Sequence, residues 1–261
     1  MPHKFSEITQ KAMRVKPWLK AATSRLPGIQ PLDLSDWVWV DDAFERQMLY
    51  REHLMNNQTS KVLAMRTDVH VAVNELLEML VSHLKTVEGY VVGSEGVMRP
   101  DRVLVPLGKW TAIETIGRLG QQDFCVLTKQ GNEHVLQAAA LCFPASWRLE
   151  DKIGKPMVAI HEPVDNYSGV MAKKVQNMFD LMRPEQPLWR ANFLIYSDPD
   201  LFQPRREGIK RQLTGTKRWV RVERQTLRKL PQSGAIVFGI HSFVAPEDRM
   251  SAEDRAYLNL G

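Results

Sequence analysis

Two short apolar runs, at residues 123–129 and 135–143, stand on either side of Gly131-Asn132, and this spacing limits the fold more than any other feature of the chain. Each run has strand length, and a Gly-Asn pair between them supplies the positive φ that a tight hairpin turn needs. They read as an antiparallel hairpin. Three further strand-like runs follow, at 188–196, 218–226 and 235–244, with turn residues at 231–234 between the last two. Between the hairpin and these runs lies a helical pattern at 168–182. Val170, Met171, Val175, Met178, Phe179 and Met182 fall on one side of it, Ser168 is its expected N-cap, and Pro184 lies just past its end. Residues 158–160 are too brief to assign. From Gln122 the order is therefore strand, strand, helices, strand, strand, strand. That order belongs to the α+β class, with one antiparallel sheet.

Upstream the pattern changes. Residues 1–40 are rich in Pro and Trp and lack a clear period, with turns at Pro27-Gly28 and Pro31. This segment is expected to wrap over the rest. Residues 41–56 read as a helix with Phe44, Met48 and Leu49 on a partial stripe, and Asp41 and Asp42 suit its first turn. Residues 69–84 make a stronger helix, with Val73, Leu76, Leu77, Leu80, Val81 and Leu84 on one face and Asp68 as N-cap. The expected organisation is a helical region at 1–121 packed on a core domain at 122–250, with a tail at 251–261.

Charge and cysteine usage exclude several classes. The formal net charge is +5, its densest basic cluster running from Arg205 to Arg228. Such a cluster reads first as a solvated face, then as a docking face for an acidic partner or for anionic cofactor groups. No nucleic-acid-binding motif accompanies it. Cys125 and Cys142 are too few for a disulfide framework or a metal cage, and both sit in apolar runs. No apolar run reaches about 18 residues, and the N-terminus lacks an apolar signal region, so a soluble cytoplasmic protein is expected. There is no Walker loop, dinucleotide glycine fingerprint or iron–sulfur cysteine run. Any reducing cofactor would have to sit on another chain.

The candidate chemistry centres on His161, which stands just before the 168–182 helix at the mouth of its apolar face. Its alternative is a histidine hydrogen-bonded in a turn. His241, within the last strand run, is the runner-up; His53, His70 and His83 read as solvated helix faces. On the run around residues 221–226, Arg221, Glu223 and Gln225 share one strand face, and Val222, Arg224 and Thr226 share the other. Arg190 lies on the neighbouring run. An internal Glu–Arg ion pair is one reading of these charges, and a binding site is the other. Trp147, Trp189 and Phe193 are candidate walls of a pocket layer, or ordinary core.

Several segments occur together in order: Pro31-Leu32-Asp33 with Trp37, Gln122-Asp123-Phe124-Cys125, Cys142–Trp147 and Ile160-His161-Glu162-Pro163-Val164. Then come Arg190-Ala191-Asn192-Phe193, Asp200–Pro204, Arg221–Leu227 and Leu230–Ala235. In these the chain resembles the heme-dependent oxidative N-demethylase alpha-subunit-like family. It departs from the family pattern at Asp165-Asn166-Tyr167, where a Pro-Gly turn is usual. The resemblance implies a PAS-like five-stranded antiparallel sheet with helices on one face, holding heme b. It further implies oxidative demethylation of a small secondary amine such as dimethylamine, using O2. Electrons would come from NADPH through FMN and iron–sulfur centres on partner subunits. On that basis His161 is expected to ligate iron, Arg190 and Arg224 to pair with the heme propionates, and Glu223 to orient the amine. The rival expectations are a heme or small-molecule sensor without turnover, and a heme-free scaffold for a partner chain.

Overall fold

The structure is a computed structural model that describes residues 8–19, 23, 28–161, 169–209 and 211–260, with the side chains of His161, Gly169 and Val170 outside the description. In chain order the elements begin with β1 (Gln30–Pro31), α1 (Phe44–Asn57), α2 (Thr59–Val62), β2 (Leu63–Met65) and α3 (His70–Leu84). A small three-stranded sheet follows, of β3 (Val91–Gly93), β4 (Gly96–Met98) and β5 (Leu104–Val105), then α4 (Ala112–Leu119). The hairpin comes next as β6 (Asp123–Gln130) and β7 (Glu133–Ala140), with Gly131 at φ 59° in its turn. Three helices, α5 (Leu149–Lys152), α6 (Met157–His161) and α7 (Gly169–Leu181), precede β8 (Leu188–Tyr196), β9 (Trp219–Lys229) and β10 (Ile236–Pro246). The last helix is α8 (Ala252–Leu258).

The main sheet runs β1-β8-β9-β10-β6-β7-β2, with every pair of neighbours antiparallel. The five expected strands are contiguous in its middle, but the sheet has seven strands, not five. β1 and β2 come from the N-terminal region and pair with the exposed edges of β8 and β7. An edge strand leaves a row of unpaired N–H and C=O groups, and these short segments satisfy part of it. Pro31, which has no N–H, is tolerated at such an edge. The N-terminal region is thus not purely helical: among its described residues it supplies five strands as well as the helices α1 to α4.

Helices cover both faces of the sheet, where the sequence suggested one. Alternation along the strands divides the core. Phe124, Val126, Ala138, Ala140 and Val237 pack against Val73, Leu76 and Leu80 of α3 and Ile113 and Ile116 of α4, making the α3 face. The intervening residues Cys125, Leu127, Leu136, Ala139, Leu227, Ile236 and Ile240 pack against Leu149, Phe179 and Met182, making the α7 face. Each fully covered leucine of α3 stabilises the fold by about 1.5–3 kcal/mol relative to exposure.

Local signals resolve in detail. α3 starts one residue after the expected point, with Val69 as N-cap and no side-chain cap bond, so Asp68 does not serve as cap. The expected N-cap Ser168 lies outside the described residues. Residues 158–160 belong to a short helix. The expected tail folds as α8, capped reciprocally by Ser251 and Asp254. Asp254 also accepts from Trp18 Nε1 at 2.9 Å and from Lys16 Nζ at 2.6 Å, which ties the N-terminal wrap to the last helix.

Candidate functional site

Register builds the site. In β9, Arg221, Glu223, Gln225 and Leu227 point to the α7 face, and β8 places Arg190 opposite Gln225 and Asn192 opposite Glu223. Ser242 of β10 sits opposite Glu223 on the other side. One face therefore collects Arg190, Asn192, Arg221, Glu223, Gln225 and Ser242 beneath the segment that carries α5–α7. Glu223 is buried. Its carboxylate accepts from Arg221 Nη2 at 3.2 Å and from Gln225 Nε2 at 3.3 Å. Both contacts are long, and a carboxylate has lone pairs for about four donors, so Glu223 keeps acceptor capacity.

Arg221 holds the frame. Its guanidinium donates to the Phe143 carbonyl at 2.5 Å, the Leu201 carbonyl at 3.0 Å and Ser242 Oγ at 3.2 Å. It thereby fastens the segment after β7 to the loop after β8. The same two segments exchange backbone bonds, Ser146 N to Gln203 O at 3.0 Å and Gln203 N to Pro144 O at 3.2 Å, and Ser146 adopts a positive φ of 67° there. Arg190 behaves differently. Like Arg221 Nε, its Nε is buried without a hydrogen-bond partner, but here burial holds the pKa below the usual arginine range despite the nearby Glu223 charge. Asn192 Oδ1 is likewise buried and unpartnered. These two orphaned groups are adjacent on the α7 face.

His161 ends α6. The carbonyl just before it, on Ile160, accepts from Lys152 Nζ at 2.7 Å, and the same ammonium pairs with Glu207. Where the imidazole of His161 points, and the loop at 162–168 including Asp165-Asn166-Tyr167, lie outside the described residues.

Arg224 and His241 are on the opposite, α3 face, paired directly across β9 and β10. Arg224 Nη2 donates to the Asp36 carbonyl at 2.5 Å, and its guanidinium lies 4.0 Å from the Trp39 ring centroid. Burial pushes its pKa down to about 10. His241 Nε2 lies 2.9 Å from Asp41 Oδ2, and its ring packs 4.6 Å from that of Phe243. Burial alone would raise the Asp41 carboxyl; hydrogen bonds from His241, Gln121 and Gln10, with the His241 charge, outweigh it and hold the group below the usual aspartate value. The sheet thus separates Arg224 and His241 from Arg190 and Glu223. Of the candidate aromatic walls, Trp147 packs with the α7-face cluster, whereas Trp189 and Phe193 are on the α3 side, Phe193 edge-on to Trp18 at 5.4 Å.

Two features escaped sequence reasoning. Asn192 was visible only as part of a motif. His83, read as a solvated position, is half-buried against Trp37 at 5.1 Å between ring centroids, beside Arg228, whose guanidinium lies 4.1 Å from the same indole. The long-range strap at Trp37 covers it, and helix periodicity carries no sign of that.

Other motif segments are structural. Asp123 pairs with buried Arg51 at 2.5 Å and accepts from the backbone N–H groups of Cys142 and Phe143 at 2.7 and 2.9 Å. Glu75 of α3 accepts from the N–H groups of Gln232 and Ser233 at 2.6 and 2.8 Å, which pins the turn between β9 and β10.

The chemistry of the described α7-face residues is compatible with a heme. They offer an apolar layer, a buried arginine Nε with no hydrogen-bond partner that suits a carboxylate, and a histidine at the end of α6. Among the described residues no group of three or more His, Cys, Asp or Glu is disposed to hold a bare metal ion; a porphyrin iron needs only one such ligand. No described helix is long and apolar enough to cross a membrane. Residues 28–260, nearly the whole chain, match the family model described as haem-dependent oxidative N-demethylase, alpha subunit-like.

Proposed function

The chain belongs to the haem-dependent oxidative N-demethylase alpha-subunit-like family, and from that premise we propose that it demethylates a small secondary amine such as dimethylamine, using heme b, O2 and electrons from a partner reductase. The reaction consumes the amine, O2, two electrons and two protons. It yields the shorter amine, formaldehyde and water. When bound, heme supplies the activation of O2. The chain's own residues do the rest. His161 would ligate the heme iron. Arg190 would pair with a propionate, and Glu223 would accept an N–H from the substrate ammonium and so hold the amine in one orientation. Phe179, Leu227 and Trp147 keep bulk water from the α7 face.

The observation that carries this reading is the buried, unpartnered Nε of Arg190 on the same sheet face as Glu223. A buried guanidinium N–H without an acceptor is costly, and a carboxylate that accepts from it offsets the cost. Arg224, the second expected propionate partner, lies across the sheet, so Arg190 alone carries that role in the proposal. A PAS-like core, at 122–250, is supported by the order β8-β9-β10-β6-β7 in the middle of the sheet, with region 1–121 closing the α3 face. NADPH, FMN and iron–sulfur centres belong to partner subunits. Buried, unbridged Cys125 and Cys142 suit a reducing cytoplasm.

The test is a Soret band in protein purified with adequate heme, then formaldehyde release from dimethylamine with an added NADPH reductase. A protein that never takes up heme overturns the proposal. Heme uptake without formaldehyde supports the sensor instead. Brisk NADPH-driven turnover by this chain and heme alone would overturn the partner-reductase part.

A further inference from the structure

The connection from β8 to β9, residues 197–218, is much longer than connections in compact domains, where loops beyond about 12–15 residues are uncommon and usually functional. Its sequence from Arg205 to Arg218 holds six basic residues against one acid, Glu207, an excess of five that matches the formal net charge of the whole chain. Elsewhere the two signs balance. The net positive excess of the sequence therefore equals that of this one loop.

That loop also presents apolar side chains to solvent. Ile209 is 59% exposed and Leu213 is 47% exposed. Leu213, Thr216 and Arg218 line a cleft of about 390 Å³ against Glu247, Leu258 and Leu260, which offers a recess beside the apolar contact with one acid at its wall. An apolar centre within a basic rim is the composition of a charge-steered protein interface. It is not that of a nucleic-acid groove. Phe202, the one aromatic residue of the loop, packs inward with Tyr50 and Phe143, so no stacking platform faces outward.

The loop is tied to the candidate site. Glu207 pairs with the buried Lys152, whose ammonium also donates to the Ile160 carbonyl next to His161. Arg211 lies 4.3 Å from the Tyr196 ring at the end of β8, and Tyr196 contacts Ser146 at 3.1 Å. A partner seated on the loop would stand against the segment leading to His161.

We propose that the basic loop around Arg206, Ile209, Arg211, Leu213 and Lys217 is the docking surface for an acidic electron-carrier protein. The choice of an electron carrier rests on the function proposed above; the acidity of the partner and the location rest on the loop itself. Encounters of this kind are small and transient, and charge steering sets their rate.

The probe is an acidic [2Fe–2S] ferredoxin, with the full heme-supplied chain. Its affinity is expected to fall about tenfold as salt is raised from low to several hundred millimolar, because screening removes the steering field. Arg206→Glu combined with Lys217→Glu is expected to weaken binding about tenfold and to slow heme reduction by reduced ferredoxin equally, as reversed rim charges do. Reduction by dithionite stays unchanged, which a misfolded variant would not show. The single Lys217→Glu change, at an exposed position, gives a smaller loss in the same direction. Lys61→Glu with Lys85→Glu, exposed charges elsewhere, leaves binding unchanged. Ferredoxin binding that ignores the loop variants, or responds equally to Lys61 and Lys85, overturns the proposal. So does tighter binding of a single-stranded RNA oligonucleotide at the same salt. Amine oxidation that fails while loop-dependent docking persists sinks the function and spares the surface; docking that fails while a chemical reductant supports demethylation does the reverse.

Discussion

At the residue scale, the two candidate histidines differ in what surrounds them. His241 is fully buried, held to Asp41 at 2.9 Å and separated by the sheet from Glu223. His161→Ala is expected to abolish or strongly shift the Soret band with little loss of stability. His241→Ala is expected to keep the band and cost about 1–3 kcal/mol in chemical unfolding, because it strands part of the Asp41 network. The reverse pattern would transfer the ligand role to β10. Part of this was legible beforehand. Strand alternation placed Glu223 and Arg224 on opposite faces, since side chains in a strand have a period of two. It did not say which face the inserted helices cover, so Arg190 and Arg224 were grouped when only Arg190 shares Glu223's face. Asn192 shows the limit differently: a neutral amide in an apolar strand carries no charge signal, and only the cross-strand register with Glu223 makes it a neighbour.

At the scale of elements, the strands β6 to β10 were legible as runs of strand length set off by turn signals such as Gly131-Asn132 and residues 231–234, although burial along most of them is near-continuous because both faces of the sheet are covered. β1 and β2 were not, because strands of two and three residues have no period to detect. α4 was overlooked although Thr111 and Glu114 form a capping box, a signal that was present in the sequence; the helix is only eight residues long. The hairpin β9–β10 depends on an element far away in the chain. Glu75 supplies acceptors to two turn N–H groups, so Glu75→Leu leaves both donors without this partner at a half-covered site. The expected cost is about 1–3 kcal/mol, read as a lower denaturant midpoint with an unchanged m-value. Glu75→Gln should recover part of it, since one amide oxygen remains. A midpoint unchanged in Glu75→Leu would mean that water serves the turn equally well.

At the scale of the whole molecule, acid should loosen the fold first where the N-terminal wrap meets α8. Burial alone would raise the Asp254 carboxyl, but hydrogen bonds from Lys16, Trp18 and Ser251 outweigh it and draw the pKa to about 2. The folded value is below the ordinary aspartate value of 3.8, so this contribution is fully present above that value and is lost as pH falls from there towards about 2. Melting temperature followed from pH 5 to pH 2 should drop less steeply in Asp254→Asn than in the parent, from a lower starting point. Equal slopes would place the acid-sensitive contact elsewhere.

A strand that serves two compartments also has something like a reading frame. β9 delivers Arg221, Glu223, Gln225 and Leu227 to one side of the sheet and Val222, Arg224, Thr226 and Arg228 to the other. Substitutions on one side can accumulate with little effect on the other, because the backbone between them is fixed by both neighbours. A length change is a different event. Deleting one residue near Glu223 would slide every later side chain across the sheet, sending the charge of Arg224 beneath α7 and Leu227 into the tryptophan layer. Attempts to reshape the pocket should therefore vary this strand in steps of two and never alter its length.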